Sequence, residues 1–349
     1  MKNKKVSVII TTYHGSENLA RSILSVLNQT YMNFELIVVD DNEPNSEDRK
    51  LTEKVMEKFK KDNIIYLKHP ENLNGSAARN TGIKVATGEY IQLLDDDDYL
   101  FSNKIELSVD ALAKNEDCDF VVCGVIAFGI NGVADLSGAY EHSNSFIISK
   151  EWLKRLNALG TGSNIFATKK SIESINNFDD SYVRMQDIEF IFRYCEKFKV
   201  CSIPEKLIIK ALNERPIKLN SYEKHMRIID KFINQFNNTI FELLSEEEAK
   251  AWLIEQYSHL FRIALAEGNK KNISNAKEKL EKYRKLSKSE HLKVKFPKVW
   301  IFLKNNSILK KIILQKREGS KVVSNLESKL NQIETIELNV FKEKYFINQ

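Results

Sequence analysis

Short apolar runs alternate with helical patterns four times in the first 98 residues, and this alternation restricts the fold more than any other feature. The runs of strand character are Val6–Ile10, Phe34–Val39, Ile64–Leu67 and Gly88–Leu94. Between them, apolar residues recur at the three- or four-residue spacing of one helix face. Regular alternation of strand and helix predicts an α/β fold with a mainly parallel, doubly wound sheet.

Polar side chains directly follow three of these four strand-like runs. The first run leads into Thr11 and Tyr13, the second into Asp40 and Asp41, and the fourth into an acidic cluster. In open α/β sheets, ligands bind beyond the carboxyl ends of the strands. We therefore expect these side chains to meet at one edge of the sheet and to form a binding site there.

The acidic cluster consists of four consecutive aspartates, Asp95 to Asp98. Adjacent carboxylates repel one another, so the cluster requires either full solvation or a bound cation. On an extended chain, Asp95 and Asp97 share one side, while Asp96 and Asp98 share the other and suit a structural role. Mg²⁺ and Mn²⁺ are typically held by one or two carboxylates plus substrate phosphates. The cluster indicates a metal that carries a diphosphate, with an acidic surface turn as the alternative.

The rest of the chain divides into two regions of different charge. We predict a nucleotide-binding domain over residues 1–215 and a helical, Lys-rich region over residues 216–349. Residues 270–318 hold 16 Lys and Arg against 4 Asp and Glu, although the whole chain carries only +5. Residues 296–318 interleave apolar side chains with lysines, which suits a helix on an anionic membrane surface. Packing on its own domain, or on a second copy in a homo-oligomer, is the alternative.

Targeting signals and cysteine patterns indicate where the protein is located and which state its cysteines have. No apolar stretch reaches the roughly 20 residues that span a bilayer, and the amino terminus lacks a signal peptide's apolar region. We therefore expect a cytoplasmic protein, with a peripheral position on the inner face of the cell membrane. The cysteines form no Cys-x-x-Cys pair, and we interpret all four as buried thiols: Cys118, Cys123, Cys195 and Cys201. No nucleic-acid-binding motif accompanies the basic segment.

Several motifs occur together in an order that resembles a known family. They are the strand ending in Thr11, the segment Leu27–Asn42 with its two aspartates, the segment Asn74–Gly82 containing Arg79, and the strand ending in Asp95–Asp98. In this order and spacing, residues 5 to about 212 resemble the GT-A fold glycosyltransferases of family 2, which build bacterial polysaccharides. The resemblance implies a GT-A nucleotide-binding domain followed by an α-helical C-terminal region.

The resemblance also implies roles for individual residues. Asp187 matches the catalytic base, and Gln186 stands where the family usually has a glutamate. Asp97 matches the metal ligand, with Asp95 beside it, and the implied ion is Mn²⁺ or Mg²⁺. Some members place a histidine near this metal, and His225 is the nearest candidate here. The candidate nucleotide-sugar contacts are Thr11, Tyr13, Asp40, Asp41, Arg79, Asp95 and Asp96. The loop Gly160–Asn164 is expected to contact the acceptor or the donor sugar.

The function implied is an inverting transfer of a hexose or N-acetylhexosamine. The donor would be a UDP-sugar, and the acceptor a hydroxyl of a cell-envelope or capsular glycan, including a lipid-linked one. A nucleotidyltransferase usually carries a Gly-rich basic loop after the first strand, and a dinucleotide oxidoreductase carries Gly-x-Gly-x-x-Gly there. The segment after Ile10 has neither pattern. A scaffold without catalytic activity is the third alternative, and the presence of Asp97 and Asp187 argues against it.

Overall fold

The computed structural model describes residues 4–59, 63–129, 132–136, 149–150, 153, 161–211, 222–295 and 297. Nine strands form one sheet in this part of the chain. They are β1 (Val6–Thr12), β2 (Phe34–Asp40), β3 (Ile64–Lys68), β4 (Tyr90–Asp95), β5 (Tyr99–Leu100), β6 (Cys118–Gly129), β7 (Gly132–Leu136), β8 (Phe166–Thr168) and β9 (Lys199–Ala211).

Ten helices accompany the sheet in the described residues. Those within the sheet region are α1 (Ser16–Leu27), α2 (Glu47–Glu57), α3 (Gly75–Val85), α4 (Lys104–Lys114), α5 (Lys169–Ser174) and α6 (Gln186–Cys195). The later ones are α7 (Tyr222–Leu243), α8 (Glu246–Glu267), α9 (Lys270–Glu281) and α10 (Lys288–Lys295). This order confirms the predicted α/β region followed by a helical C-terminal region.

The sheet is mainly parallel, as the alternation of elements predicted. Its strand order is β3-β2-β1-β4-β8-β6-β9-β5, and β7 pairs with β6 as a hairpin. Strands β1, β2, β3, β4, β6 and β9 run in one direction, while β5, β7 and β8 run against them. The carboxyl ends of six strands therefore lie at the same edge, where the candidate side chains were expected to meet.

The centre of the sheet is buried on both faces, which explains its near-continuous apolar sequence. All seven residues of β2 are buried, as are six of the seven in β1. Helix α1 covers part of this surface with Leu19, Ile23 and Val26, each fully buried. A parallel strand covered by helices on both faces needs apolar residues at successive positions, because neither face meets water.

Helices α7 and α8 extend the aromatic core that begins in α6. The Phe192 ring lies 5.6 Å from Phe232 and 5.2 Å from Phe236, and Phe232 lies 6.1 Å from Trp252. Residue contacts divide the chain into one unit over residues 1–260 and another over residues 261–349. The predicted boundary near residue 215 lies inside the first of these units, so α7 and most of α8 belong with the sheet.

The second unit contains the end of α8 together with α9 and α10. Asn269 caps α9 by accepting hydrogen bonds from the backbone of Lys271 and Asn272, and Arg284 pairs with Glu290 at 2.8 Å. Apart from residue 297, the segment predicted to contact a membrane or a second copy lies outside the described residues. None of the helices in the described residues has both the length and the apolar character needed to cross a membrane.

The prediction of four cysteine thiols is wrong for one pair. Cys118 and Cys201 form a disulfide, whereas Cys123 and Cys195 are thiols. The paired residues lie near the starts of the parallel neighbours β6 and β9, with their Cα atoms 6.0 Å apart. They are 83 positions apart in the sequence, so no local spacing revealed the pair, and strand pairing alone brings the two sulfurs together.

Candidate active site

A cavity of about 650 Å³ opens at the carboxyl edge of the sheet. Of the predicted nucleotide-sugar and metal residues, it is lined by Thr11, Tyr13, Asp41, Arg79, Asp95, Asp96 and Asp97. Asn72 and Asn74 line it beside Asp41, and Lys224 and His225 reach it from the start of α7. The polar strand ends thus meet at one site, as their positions in the sequence predicted.

A second cavity of about 170 Å³ contains Asp187, the predicted base. Both cavities are lined by the same five residues: Arg79, Asp95, Val183, Arg184 and Lys210. Asp97 lines only the larger cavity, and Asp187 lines only the smaller one. The two predicted functional carboxylates therefore lie on either side of a shared wall that contains three cationic side chains.

Asp41 is a buried carboxylate held in place by the loop after β3. One of its oxygens accepts a hydrogen bond from the Leu73 backbone at 2.8 Å and lies 2.7 Å from Nδ1 of His69. Asn72 donates to the other oxygen at 2.9 Å. Burial raises the pKa of Asp41, and these hydrogen bonds partly oppose that shift. The loop therefore fixes Asp41 on the wall of the larger cavity.

Asp40 does not line either cavity, in contrast to its predicted nucleotide contact. Its fully buried carboxylate lies 3.0 Å from Nε of Arg49 and accepts a 2.6 Å hydrogen bond from the Tyr66 hydroxyl. It also accepts from the backbone and side chain of Asn42. We therefore assign Asp40 a structural role. Asp40 is the last residue of β2 and Asp41 follows it, so their side chains point in different directions. Of the two, only Asp41 faces the cavity.

Asp98 anchors the acidic loop, the segment Asp95–Asp98, through hydrogen bonds. Its carboxylate accepts hydrogen bonds from the Ser163 hydroxyl at 2.6 Å and from the Ala211 backbone at 3.1 Å. Ser163 also accepts from the Asp95 backbone at 2.9 Å. Burial raises the pKa of Asp98 to about 8, the charges of neighbouring aspartates add to the shift, and Lys210 opposes it. The structural role expected for Asp98 agrees with these contacts.

The segment around Ser163 therefore holds the acidic loop as well as bordering the smaller cavity. Gly162–Asn164 forms a short 3₁₀ turn in which all three residues are buried. Asn164 exchanges hydrogen bonds with the backbone of Cys123 on β6, at 2.9 and 3.0 Å. Residue 160 lies outside the described residues, and within the described part of the predicted contact loop Thr161 and Gly162 line the smaller cavity.

Asp96 packs against the start of α1. A Cβ atom at Gly15, the residue that precedes this helix, would lie 1.7 Å from a carboxylate oxygen of Asp96. No side chain fits at position 15 while Asp96 keeps its place. Since the N-terminus of a helix carries partial positive charge, it stabilises a nearby carboxylate. Ser22 of α1 also donates to the backbone carbonyls of Asp96 and Asp98, at 2.8 and 2.7 Å.

Arg79 connects the acidic loop with the helix that carries the predicted base. One guanidinium nitrogen donates to Asp95 at 2.8 Å, and the other donates to the side-chain oxygen of Gln186 at 2.8 Å. The same side chain lies over the Phe178 ring, 5.5 Å from its centroid. Arg79 therefore lines both cavities, but its direct contacts are protein groups on both sides of the shared wall.

Asp187 lies in the first turn of α6, as the sequence predicted. Its carboxylate accepts a hydrogen bond from the Ile188 backbone at 3.0 Å, and the helix N-terminus favours negative charge there. Met185, the residue that precedes this helix, has a positive φ of 59°. A non-glycine residue in this region is uncommon and is found at constrained sites. The turn places Gln186 and Asp187 at the cavity.

Helix α3 holds the segment before this turn in place through hydrogen bonds. Asn80 donates to the Phe178 carbonyl at 2.9 Å and accepts from the Phe178 backbone amide at 3.0 Å. Ser76 donates to the Tyr182 carbonyl at 3.1 Å. The motif Asn74–Asn80, which the sequence singled out only for Arg79, therefore also positions the segment that leads to Asp187.

Sequence reasoning missed two cationic residues of the shared wall, Arg184 and Lys210. Lys210 follows the apolar run Leu207–Ile209 near the end of β9, so the rule that located the acidic cluster also applied to it. Arg184 had no such signal, because it lies in the loop before α6, where it contacts His259 at 3.2 Å. The predicted third metal ligand, His225, lines the larger cavity.

The donor groups at the acidic loop suit a hard divalent ion that is also held by its substrate. In the described residues, no three His, Cys, Asp or Glu side chains are close enough to hold a metal by themselves. Mg²⁺ usually takes one or two carboxylates and completes its coordination with water and substrate phosphates. Asp97, with Asp95 nearby, offers such a partial site. The oxygen chemistry therefore fits Mn²⁺ or Mg²⁺ bound together with a diphosphate.

Comparison with known proteins identifies the sheet region. The family model described as glycosyl transferase family 2 matches residues 7–174. The chain carries a family 2 glycosyltransferase domain. The matched segment contains β1–β4, the acidic loop and the cavity-lining residues from Thr11 to Gly162. The family favours sugar transfer over the nucleotidyl-transfer and redox alternatives. Asp187 and Lys210 lie beyond the matched residues.

Individual relatives agree with this family. The chain is 28% identical over 296 residues to the poly(ribitol-phosphate) beta-N-acetylglucosaminyltransferase TarP of Staphylococcus aureus, covering 80% of this chain and 84% of TarP. It is 36% identical over 115 residues to the UDP-Glc:alpha-D-GlcNAc-diphosphoundecaprenol beta-1,3-glucosyltransferase WfgD of Escherichia coli, covering 33% of this chain and 44% of WfgD. The chain spans less than half the length of several curated relatives, down to 16% of one.

A solved structure shares the fold. The crystal structure of S. aureus TarS residues 1–349 in complex with UDP-GlcNAc aligns with a TM-score of 0.54 at 17% identity, covering 80% of this chain and 89% of that chain. At this level of identity the alignment demonstrates a common fold. The predicted GT-A architecture is therefore confirmed.

Proposed function

We propose that this glycosyltransferase transfers a sugar from a UDP-sugar to a hydroxyl group of a cell-envelope or capsular glycan, with inversion at the anomeric carbon. The observation that carries the proposal is the arrangement of two adjoining cavities. The larger contains Asp97 and the predicted nucleotide contacts other than Asp40, and the smaller contains Asp187. A donor sugar bound at their shared wall would lie between a diphosphate site and a base.

The donor would bind along the larger cavity. Its uracil and ribose would contact Thr11, Tyr13 and Asp41, and its diphosphate would extend toward Asp97 and Lys210. A cavity of about 650 Å³ is within the range usual for ligands of this size. The solved complex of TarS with UDP-GlcNAc and the UDP-glucose named for WfgD support a UDP-linked hexose or N-acetylhexosamine as donor.

A divalent ion held by Asp97, with Asp95 nearby, would supply positive charge beside the leaving diphosphate. Lys210 and Arg184, which line the wall next to it, would add further positive charge. Charges fixed in a partly buried site stabilise a developing anion without having to reorganise during the reaction. Arg79 contributes less to this field, because its guanidinium is paired with Asp95 at 2.8 Å.

Asp187 would act as the general base in a single displacement. The acceptor oxygen forms a bond to the anomeric carbon while the bond from that carbon to the diphosphate oxygen breaks. The hydroxyl proton passes to the Asp187 carboxylate, and the diphosphate leaves with the bonding electron pair. Attack from the side opposite the leaving group inverts the configuration. A positioned base of this kind contributes about 10²- to 10⁴-fold to the rate.

The acceptor proposed is a glycan of the cell envelope or capsule, either polymeric or linked to a lipid. The smaller cavity, with Thr161, Gly162 and Asp187 on its wall, would admit the reacting hydroxyl. The proposal is supported by the acceptors named for the relatives, a poly(ribitol-phosphate) for TarP and a diphosphoundecaprenol-linked sugar for WfgD.

Two substitutions test the assignment of the carboxylates. We expect Asp187→Asn to reduce the rate of UDP release from UDP-sugar and acceptor by about 10²- to 10⁴-fold, with UDP affinity within about twofold of wild type. Asp97→Asn should reduce the rate even at saturating Mn²⁺. Asp117→Asn serves as the control, since this exposed residue pairs with Lys199 and lines neither cavity.

The outcomes separate the roles. Full activity of Asp97→Asn at saturating Mn²⁺ would disprove the metal assignment. A parallel loss of UDP binding and turnover in Asp187→Asn would indicate a structural role in place of a base. UDP release should be measured with UDP-glucose, UDP-galactose and their N-acetyl forms, because the panel also identifies the donor.

A further inference from the structure

Arg79 forms a fork between the acidic loop and the start of α6. Its two terminal nitrogens donate to Asp95 and to Gln186, each at 2.8 Å. The guanidinium is planar and rigid, so the two contacts fix the distance between their acceptors. Only 11% of the Arg79 side chain is exposed. The fork is therefore largely buried, and it joins Arg79 to a residue 107 positions later in the sequence.

Two glycines confine this fork. A Cβ atom at Gly162 would lie 2.9 Å from one terminal nitrogen of Arg79, and a Cβ at Gly75 would lie 3.2 Å from the other. The same Cβ at Gly75 would lie 2.9 Å from the side-chain oxygen of Gln186. These distances are shorter than ordinary contacts, so both positions require glycine while the fork keeps its place. The two glycines therefore leave the space that the guanidinium occupies.

The charges of the two acceptors are unequal. Gln186 is neutral, and Asp95 is the carboxylate that pairs with Arg79 among the described ion pairs. An arginine at hydrogen-bond distance offsets most of the local charge of a carboxylate. Asp95 therefore attracts a divalent ion less strongly than its place in the Asp-x-Asp pair suggests. A glutamate at position 186, as is usual in the resembling family, would supply the guanidinium with a second negative partner.

We propose that Gln186 is a positioning residue that acts through Arg79 on the metal site. Because it gives Arg79 a neutral partner, the Asp95 carboxylate stays committed to the ion pair and contributes little to holding the divalent ion. This inference rests on the proposed function, since it assumes that the acidic loop binds a metal together with UDP. It concerns the contribution of Asp95 to metal binding and is separate from the identity of donor and acceptor.

The test is the Mn²⁺ affinity of the UDP-saturated full-length protein, measured by isothermal titration calorimetry. Gln186→Glu should tighten Mn²⁺ binding about tenfold, because one carboxylate charge is added beside Arg79 and Asp95 is freed for the ion. Asp95→Asn should weaken binding less than about threefold in the wild-type protein and about tenfold in the Gln186→Glu protein, a coupling that a double-mutant cycle measures.

The matched control is Gln256→Glu on α8, which adds the same charge at a residue that lines neither cavity and should leave Mn²⁺ affinity unchanged. Thermal unfolding of each variant checks the fold. Unchanged Mn²⁺ affinity in Gln186→Glu would overturn the inference, and so would a tenfold or greater loss in Asp95→Asn alone. If wild-type protein bound UDP but no Mn²⁺, the metal part of the proposed function would fail as well. Normal Mn²⁺ binding without coupling would refute only the inference.

Discussion

Glu35 provides a quantitative test of the energetics at the edge of the sheet opposite the site. Its buried carboxylate accepts hydrogen bonds from Lys5 at 2.7 Å, from Ser7 at 2.6 Å, and from the backbone amide of Thr87 at 2.7 Å. Burial alone would raise the pKa of Glu35, but these hydrogen bonds outweigh it and lower the pKa from 4.5 to about 2. The network ties the starts of β1 and β2 to the loop before β4.

The lowered pKa converts into a contribution to stability. A difference of about 2.5 pKa units corresponds to about 3 kcal/mol in favour of folding when the carboxylate is ionised. Since the folded pKa lies below the unfolded value, this contribution is complete above pH 4.5 and is lost as the pH falls toward 2. We therefore expect Glu35→Gln to lower the free energy of unfolding by about 3 kcal/mol at pH 7.

The assay is urea denaturation of wild type and Glu35→Gln at several values between pH 7 and pH 2.5. The difference in unfolding free energy should shrink steadily below pH 4.5. Glu53→Gln is the control, since this half-exposed residue pairs with exposed Lys68 and should cost less than about 1 kcal/mol. A Glu35→Gln effect below about 1 kcal/mol at pH 7, or one that does not change with pH, would refute the reasoning.

Two further substitutions test the support of the acidic loop. Gly15→Ala places a Cβ atom 1.7 Å from the Asp96 carboxylate, so UDP affinity should fall at least fivefold. The control is Gly82→Ala, whose Cβ atom clashes with the core at a position that lines neither cavity. It should lower stability without lowering UDP affinity. Ser163→Ala removes a hydrogen bond to Asp98 and one from a backbone amide, and urea denaturation should show a loss of about 2 kcal/mol. UDP affinity equal to wild type in Gly15→Ala, or full stability in Ser163→Ala, would contradict these roles.

The amino-acid sequence by itself determined the fold class and the location of the site. Alternating strands and helices imply a parallel sheet, and a parallel sheet collects its strand ends at one edge. Asp41, Asp97 and the other polar residues at these ends therefore meet at a cavity, as expected. The predicted role of Asp187 rested on a motif and on its place at a helix start, and both of these are local in sequence.

Only the tertiary structure decided which neighbours each charge acquires. Asp40 and Asp41 are adjacent, yet burial beside Arg49 and Tyr66 makes the first structural, while the second lines the cavity. Cys118 and Cys201 pair across two strands, against the expectation of thiols. The link from Asp95 through Arg79 to Gln186 likewise joins distant segments. Such contacts depend on how packed elements bring remote residues together, and no spacing along the chain records that.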